Sequence, residues 1–204
     1  MESKIILIRH GESLGNEKGI FLGHTDWDLS PRGYIQAEAA AEYFRDLKIS
    51  GVYSSDLLRA YNTALPHAKL RQTSVKTDPG LREIYLGDWE CCPLDVLHTL
   101  DEYNHGWKER FGEFCPPGGE AVWDAGERMR ITVEKIAREN PHGTVIVASH
   151  AAAIRALYAN VSGIPKENLA RELPFPENAS ATTLIYDGHR LRGVEYSFRG
   201  YIVE

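Results

Sequence analysis

Two short aliphatic runs, Ile5-Ile6-Leu7-Ile8 and Val145-Ile146-Val147-Ala148, are interrupted by no polar residue. A strand with water on one face alternates apolar and polar side chains, so these runs read as strands covered on both faces. That is the setting of inner strands in a mainly parallel sheet between helices. Each run stops at a histidine, in Arg9-His10-Gly11 and in Ser149-His150. Strand-like and helix-like stretches alternate along the rest of the chain. No internal repeat, low-complexity tract or Gly/Ser linker divides it, so its 204 residues read as one α/β domain spanning 1–204.

Local signals fix several elements. Ser30-Pro31 is a helix start, with Ser as N-cap and Pro at the first helical position, and Ala37, Ala40, Ala41, Phe44 and Leu47 form its apolar stripe. Val52-Tyr53-Ser54-Ser55 is a second strand, and Asp56 stands where it would cap a helix running to about His67. Residues 73–81 read as a weak strand and loop. Val122, Ala125, Met129, Val133 and Ile136 mark a long amphipathic helix ending near Asn140-Pro141. An Ala-rich helix follows His150, and Ala181–Tyr186 and Leu191–Tyr196, joined by Asp187-Gly188, read as a hairpin closing the sheet. Between Pro93 and Pro117 aromatics and charges mix without a clean period, which suggests an insert of short helices over one end of the sheet.

Composition narrows the function. Lys and Arg number 23 against 29 Asp and Glu, a net charge of −6, which argues against a nucleic-acid partner or an anionic lipid surface. The aliphatic run near the start is far short of the roughly 20 residues of a membrane helix. Three cysteines, Cys91, Cys92 and Cys115, form no Cys-x-x-Cys pair. They fit a reducing cytoplasm better than a zinc site, with Cys91 and Cys92 expected to pack. Asn160-Val161-Ser162 and Asn178-Ala179-Ser180 match the glycosylation pattern by chance. No dinucleotide fingerprint, P-loop, zincin or calcium loop occurs, so no metal or other cofactor is expected.

Ligand sites in open α/β sheets lie beyond the carboxyl ends of the strands. Four such points carry chemistry: Arg9-His10 after the first strand, Arg59 a turn past the second, Glu83 after the weak third, and His150 after the fourth. Any one of them has a bland reading, as a capping histidine, a surface arginine or a solvated acid. Together they suit phosphoryl transfer, which needs a nucleophile, cations around the equatorial oxygens and an acid for the leaving group. Imidazole attacks phosphorus without first losing a proton, and guanidinium forks match phosphate geometry. Gly11 would let the backbone approach the anion. His24, His67, His98, His105, His142 and His189 read as surface or structural residues.

The stretch Leu7-Ile8-Arg9-His10-Gly11-Glu12-Ser13 with Asn16 resembles the signature of the histidine phosphatase superfamily, the phosphoglycerate mutase-like family. The likeness continues through Gly23–Gly33, Ser54–Ala60 with Thr63-Ala64, Leu81-Arg82-Glu83 with Gly87-Asp88-Trp89-Glu90, Pro117-Gly118-Gly119-Glu120 and Ser149-His150. It implies a three-layer α/β/α sandwich with His10 as nucleophile and Arg9, Arg59 and His150 on the transferring phosphoryl group. Asn16, Gly23 and Ala151 would be binding positions and Glu83 the proton donor, with Glu12, Glu90 and Glu120 as the other acids near the motifs. Two departures stand out: Ala151 replaces a usual glycine, and Leu22 stands where many relatives have a polar residue.

The resemblance implies a metal-independent phosphatase acting on a small phosphorylated metabolite, and a homodimer is compatible with it. The mutases' His-Tyr-Gly stretch after the acid is replaced by Ile84-Tyr85-Leu86, which favours hydrolysis. A phosphoglycerate mutase is the alternative enzyme, and a catalytically weak phospho-ligand binding protein the alternative of another class. Substrate choice would lie in the insert at about 93–117, whose aromatics suggest a small, partly apolar leaving group covered by that insert.

Overall fold

The computed structural model describes residues 2–202. In chain order the elements are β1 (Ser3–Arg9), the single turn α1 (Leu14–Glu17), α2 (Pro31–Tyr43), β2 (Gly51–Ser54), α3 (Leu58–Leu70), β3 (Val75–Thr77), the short α4 (Leu94–Leu97), α5 (Val122–Glu139), β4 (Thr144–Ser149), α6 (Ala151–Ser162), the short α7 (Leu169–Glu172), β5 (Ala181–Tyr186) and β6 (Leu191–Phe198). The strands form one sheet in the order β3-β2-β4-β1-β5-β6. β2 pairs parallel with β3 and β4, and β4 with β1. β5 runs antiparallel to both β1 and β6, so it alone opposes the common direction.

The unbroken aliphatic runs have the predicted cause. Ile5 and Leu7 of β1 pack with Val145 and Val147 of β4 against Met129, Val133 and Ile136 of α5 and Ile154 and Leu157 of α6. Ile6, Ile8 and Ile146 face the other way, onto Ala60, Ala64 and Ala68 of α3 and onto Phe44. Helices therefore cover both faces, giving three layers. Ile5, Ile6, Leu7 and Ile8 are at most 1% exposed, and each such burial stabilises by about 1.5–3 kcal/mol before chain entropy is counted. Truncating one of them to Ala would cost about 2–5 kcal/mol.

Several local expectations are met and others corrected. The Ser30 hydroxyl accepts the Gly33 N–H at 3.1 Å as the N-cap of α2. That helix stops at Tyr43, leaving Phe44 as its C-cap and Leu47 outside it at 40% exposure. Asp56 does not cap α3. Its carboxylate takes a forked bond from Arg82, Nε to Oδ1 at 2.7 Å, while the Leu58 N–H donates across the fold to Asp26 Oδ1 at 2.7 Å. Cys91 is exposed at φ 61°, so only Cys92 packs in part.

The insert's aromatics do share a face. Glu102–Lys108 is π-helical and Phe111–Glu113 a short 3-10 turn. Tyr103, Trp107 and Phe111 are buried with Trp89 and Leu97 against Val122 and Ala125 of α5 and Ala152 and Ala156 of α6. This third apolar cluster lies at one end of the molecule, beside the cavity into which the carboxyl ends of β1 and β4 lead.

Candidate active site

β1 delivers His10 and β4 delivers His150 from neighbouring, parallel strands. The register Arg9↔Ser149 brings the two histidines side by side, with ring centroids 5.2 Å apart. The backbone of His10 is pinned on both sides: its N–H donates to Ser149 at 2.9 Å, and its carbonyl accepts the Ala179 N–H at 3.2 Å and the Asn178 amide at 3.1 Å. His10 Nδ1 lies 2.7 Å from the Gly11 carbonyl. A carbonyl only accepts, so Nδ1 carries the proton and the Nε2 lone pair is available. Burial, then Arg59 and Arg9, push the His10 imidazole well below its ordinary range, so it is neutral.

Arg59 sits in the first turn of α3 at 1% exposure, its guanidinium donating to the Thr25 carbonyl at 2.9 Å and the Gly23 carbonyl at 2.6 Å. Arg9 donates to the Pro176 carbonyl at 2.7 Å, and burial lowers it to about 10, against the opposing pull of Glu83. Both ring nitrogens of His150 and Nε of Arg9 are buried and reach no partner among the described residues. Buried polar atoms in native proteins normally find one, and a phosphoryl oxygen offers an acceptor of the right kind. Burial and then Arg59 hold His150 well below the usual histidine range.

A cavity of about 270 Å³ gathers Arg9, His10, Asn16, Arg59, Glu83 and Ala151. Of the four acids considered from the sequence, only Glu83 lines it. Glu12 accepts from the Ser30 hydroxyl at 2.7 Å, and Glu120 pairs with Arg128 at 2.7 Å. Glu90 collects the N–H groups of Gly23, His24, Thr25 and Leu86 and the Thr25 hydroxyl, at 2.6–3.3 Å. Burial would raise the Glu90 carboxyl, but those donors together lower it.

The Glu83 carboxylate accepts the Ile84 N–H (3.0 Å) and Ala153 N–H (2.9 Å) on Oε1, and the Ala152 N–H (3.2 Å) on Oε2. Its backbone is held as well: the carbonyl accepts from His24 Nε2 at 2.8 Å and from Arg128 at 3.2 Å. Arg128 also donates to the carbonyls of Gly80 and Arg82, and the Ser149 hydroxyl to that of Leu81 at 2.8 Å.

Two glycines take parts other than those expected. Gly23 is not on the cavity wall; its N–H is taken by Glu90 and its carbonyl by Arg59, and a Cβ there would lie 2.3 Å from Glu90 Oε1. Gly11 gives its N–H to the Thr63 hydroxyl at 3.0 Å, and a Cβ would lie 2.5 Å from the Gly33 carbonyl. It is small so that the loop can press on the first turn of α2. Glu90, read from the sequence only as a further acid near the motifs, is a support of the 23–25 loop, and Arg128, a charge within the long helix α5 that no motif marks, is the support that sequence reasoning missed. Among the described residues no three His, Cys, Asp or Glu side chains are placed to hold a metal ion.

His150 itself is fully buried behind the cavity wall, against His10. A parallel-sheet edge that offers a neutral histidine, two buried arginines and one carboxylic acid to a single cavity, with a second neutral histidine packed against the first, defines a phosphoryl-transfer enzyme of one class. The chain belongs to the histidine phosphatase superfamily (branch 1), whose profile matches residues 5–198. It is 32% identical over 162 residues to phosphoserine phosphatase 1 of Hydrogenobacter thermophilus, covering 79% of this chain and 77% of that one. It is also 32% identical over 183 residues to the 2,3-bisphosphoglycerate-dependent phosphoglycerate mutase of Mesorhizobium japonicum, covering 84% and 87%. A mycobacterial glucosyl-3-phosphoglycerate phosphatase solved with VO3 superposes with a TM-score of 0.86 at 30% identity, covering 96% of this chain and 99% of that one. One phosphatase and one mutase stand at the same 32% identity, but the solved structure that superposes over 96% of this chain is a phosphatase, and the chain is a histidine phosphatase.

Proposed function

We propose that the protein is a metal-independent phosphatase that hydrolyses small phosphate monoesters through phospho-His10. The observation that carries this reading is the bond between His10 Nδ1 and the Gly11 carbonyl, which leaves Nε2 as the nucleophilic nitrogen beside Arg9 and Arg59. The Nε2 lone pair attacks phosphorus as the ester P–O bond breaks. Arg9 and Arg59 balance charge on the equatorial oxygens, neutral His150 donates a hydrogen bond to one of them, and Asn16 and the start of α6 at Ala151 complete the binding face. A carboxylate has about four lone-pair sites. Three are occupied at Glu83, and the remaining one, on Oε2, is the place for the proton that passes to the leaving alcohol. In the second half Glu83 takes a proton from water, the water oxygen attacks phosphorus, and the P–N bond breaks to return neutral His10 and inorganic phosphate.

The short helices of residues 93–117 act as a cover over the leaving-group end, within a chain that works as one domain. We place the protein in a reducing cytoplasm, a reading supported by its three unpaired cysteines; no helix among the described residues is long and apolar enough to cross a membrane.

The test is acid-quench trapping with a phosphorylated substrate. An acid-labile phosphate on His10 is expected, with turnover of His10→Ala lower by several powers of ten, roughly 10⁴ or more. Vanadate should inhibit competitively and EDTA should have no effect. Label on another residue, or conversion of 3-phosphoglycerate to 2-phosphoglycerate faster than phosphate release, would overturn the reading.

A further inference from the structure

Beyond its cationic end the cavity changes character. Its far walls are Phe21, Leu22, Leu94, Tyr103, Trp107 and Phe175, and apart from Arg9 and Arg59 no arginine or lysine lines it among the described residues. A phosphoryl group brings about −1.5 to −2 charges near neutrality, and the two arginines balance them without remainder. A carboxylate on the leaving alcohol would add another negative charge, against apolar walls that offer it no cation. Burying an unpaired charge in such a slot is strongly unfavourable.

The aromatic wall is held in place. Arg155 of α6 is buried at 3% exposure, and its guanidinium lies over both Phe111 and Phe175, 4.4 and 4.1 Å from their centroids, the two rings meeting edge-on at 5.0 Å. Its N–H groups donate to the carbonyls of Leu173, Leu169 and Ala170 at 2.7–3.2 Å. Phe175 in turn lies nearly parallel to Trp107 at 5.9 Å and 16°, and Trp107 meets Phe21 edge-on at 5.0 Å. A desolvated cation over aromatic faces is a strong clamp, so three rings of the wall are fixed in series from a helix whose first residues hold Glu83.

We infer that this site is built for monophosphate esters of small uncharged alcohols with an apolar or aromatic body. It discriminates against esters that carry a carboxylate, such as phosphoserine and 3-phosphoglycerate. The volume of about 270 Å³ lies just under the roughly 300–1,000 Å³ of sites for drug-sized ligands, room for a phosphoryl group and about one ring. This assignment rests on the phosphatase reading above.

The experiment has a turnover arm and a binding arm. Benzyl phosphate, phosphoserine and 3-phosphoglycerate all leave through alkyl oxygens, so their demand for acid is comparable. The expected kcat/KM for benzyl phosphate is higher by about tenfold or more. Phe175→Ala, at a rim position 38% exposed, is expected to erase most of that preference, with Phe175→Leu keeping part of it and inhibition by inorganic phosphate unchanged in both. In the binding arm, calorimetry should find benzylphosphonate tighter than 2-carboxyethylphosphonate. Tighter binding of the carboxylate analogue, or faster turnover of phosphoserine or 3-phosphoglycerate, overturns the slot assignment. Selective binding of benzylphosphonate with no phosphate released from any ester, 4-nitrophenyl phosphate included, overturns the phosphatase reading instead and supports the slot.

Discussion

Glu83 caps the helix that His150 begins: His150 is the N-cap residue of α6, and the Glu83 carboxylate accepts the N–H groups of Ala152 and Ala153 at 3.2 and 2.9 Å. A negative group at a helix N-terminus is favourable, and losing a cap typically costs about 1 kcal/mol. Substitution here should therefore change stability as well as chemistry. We expect Glu83→Ala to lower stability by about 0.5–2 kcal/mol, read from the urea midpoint. Glu83→Gln should slow the phosphorylation burst of alkyl phosphates by roughly 10² to 10⁴ and that of aryl phosphates far less. An equal loss across leaving groups would make Glu83 a positioning residue.

Glu90 acts on the site at one remove. It gathers the N–H groups of residues 23–25, and the carbonyls of Gly23 and Thr25 aim Arg59. Glu90→Ala should let that loop relax and weaken inhibition by phosphate and vanadate by about ten- to a hundredfold, in step with kcat/KM. Arg59→Lys combined with Glu90→Ala should add little to either single change. Full additivity would show that the two act separately.

Arg128 should affect the acid and spare the anion site. Its forked pair with Glu120 fixes a guanidinium that holds the carbonyls of Gly80, Arg82 and Glu83. An ammonium cannot reproduce that fork. Arg128→Lys should reduce kcat for alkyl phosphates by about tenfold or more, leaving the inhibition constant of inorganic phosphate nearly unchanged. Weakened phosphate inhibition would count against this division of labour.

Acid stability follows from three buried histidines. Burial lowers His10, His150 and His67, the last to about 3 with help from Arg71. In the unfolded chain all three titrate near 6.5, so below that pH the unfolded state binds protons the folded state refuses. Stability is complete above the unfolded value and falls as pH drops toward the folded ones, by up to about 1.4 kcal/mol per pH unit for each such histidine. His67→Leu removes one proton from this balance, so its urea midpoint should fall less than that of the natural protein between pH 6.5 and 5. Identical slopes would mean that His67 is protonated in place.

How much of this could be read from the sequence varies with the range of the interactions. The buried strands, the Ser30-Pro31 helix start and the Asp187-Gly188 hairpin are written in residues adjacent along the chain, and they appear where expected. His10, His150, Arg9, Arg59 and Glu83 converge because each ends or follows a strand of one sheet. What stayed hidden depends on partners far apart in the chain. Asp56 has good capping chemistry, yet Arg82 outcompetes the backbone for its carboxylate. Gly23 and Gly11 are glycines because of Glu90 and Gly33, which no local pattern reveals. In the insert Tyr103, Trp107 and Phe111 stand four residues apart, a helical spacing, but the backbone that carries them changes from the π-helix of Glu102–Lys108 to the 3-10 turn of Phe111–Glu113, so no single period runs through the segment.

The place of β1 in the sheet sets the order in which the protein can come apart. The strand is hydrogen-bonded along both edges, to β4 and to β5, whereas the segment from Leu94 to Glu113 is tied by short helical turns and ring contacts. Amides of β1 should then exchange with solvent only through global opening, and those around Trp107 through a cheaper local one. Warming would blur the molecule's choice of ester well before it loses the ability to hold a phosphate, so recognition and chemistry would have separate melting points.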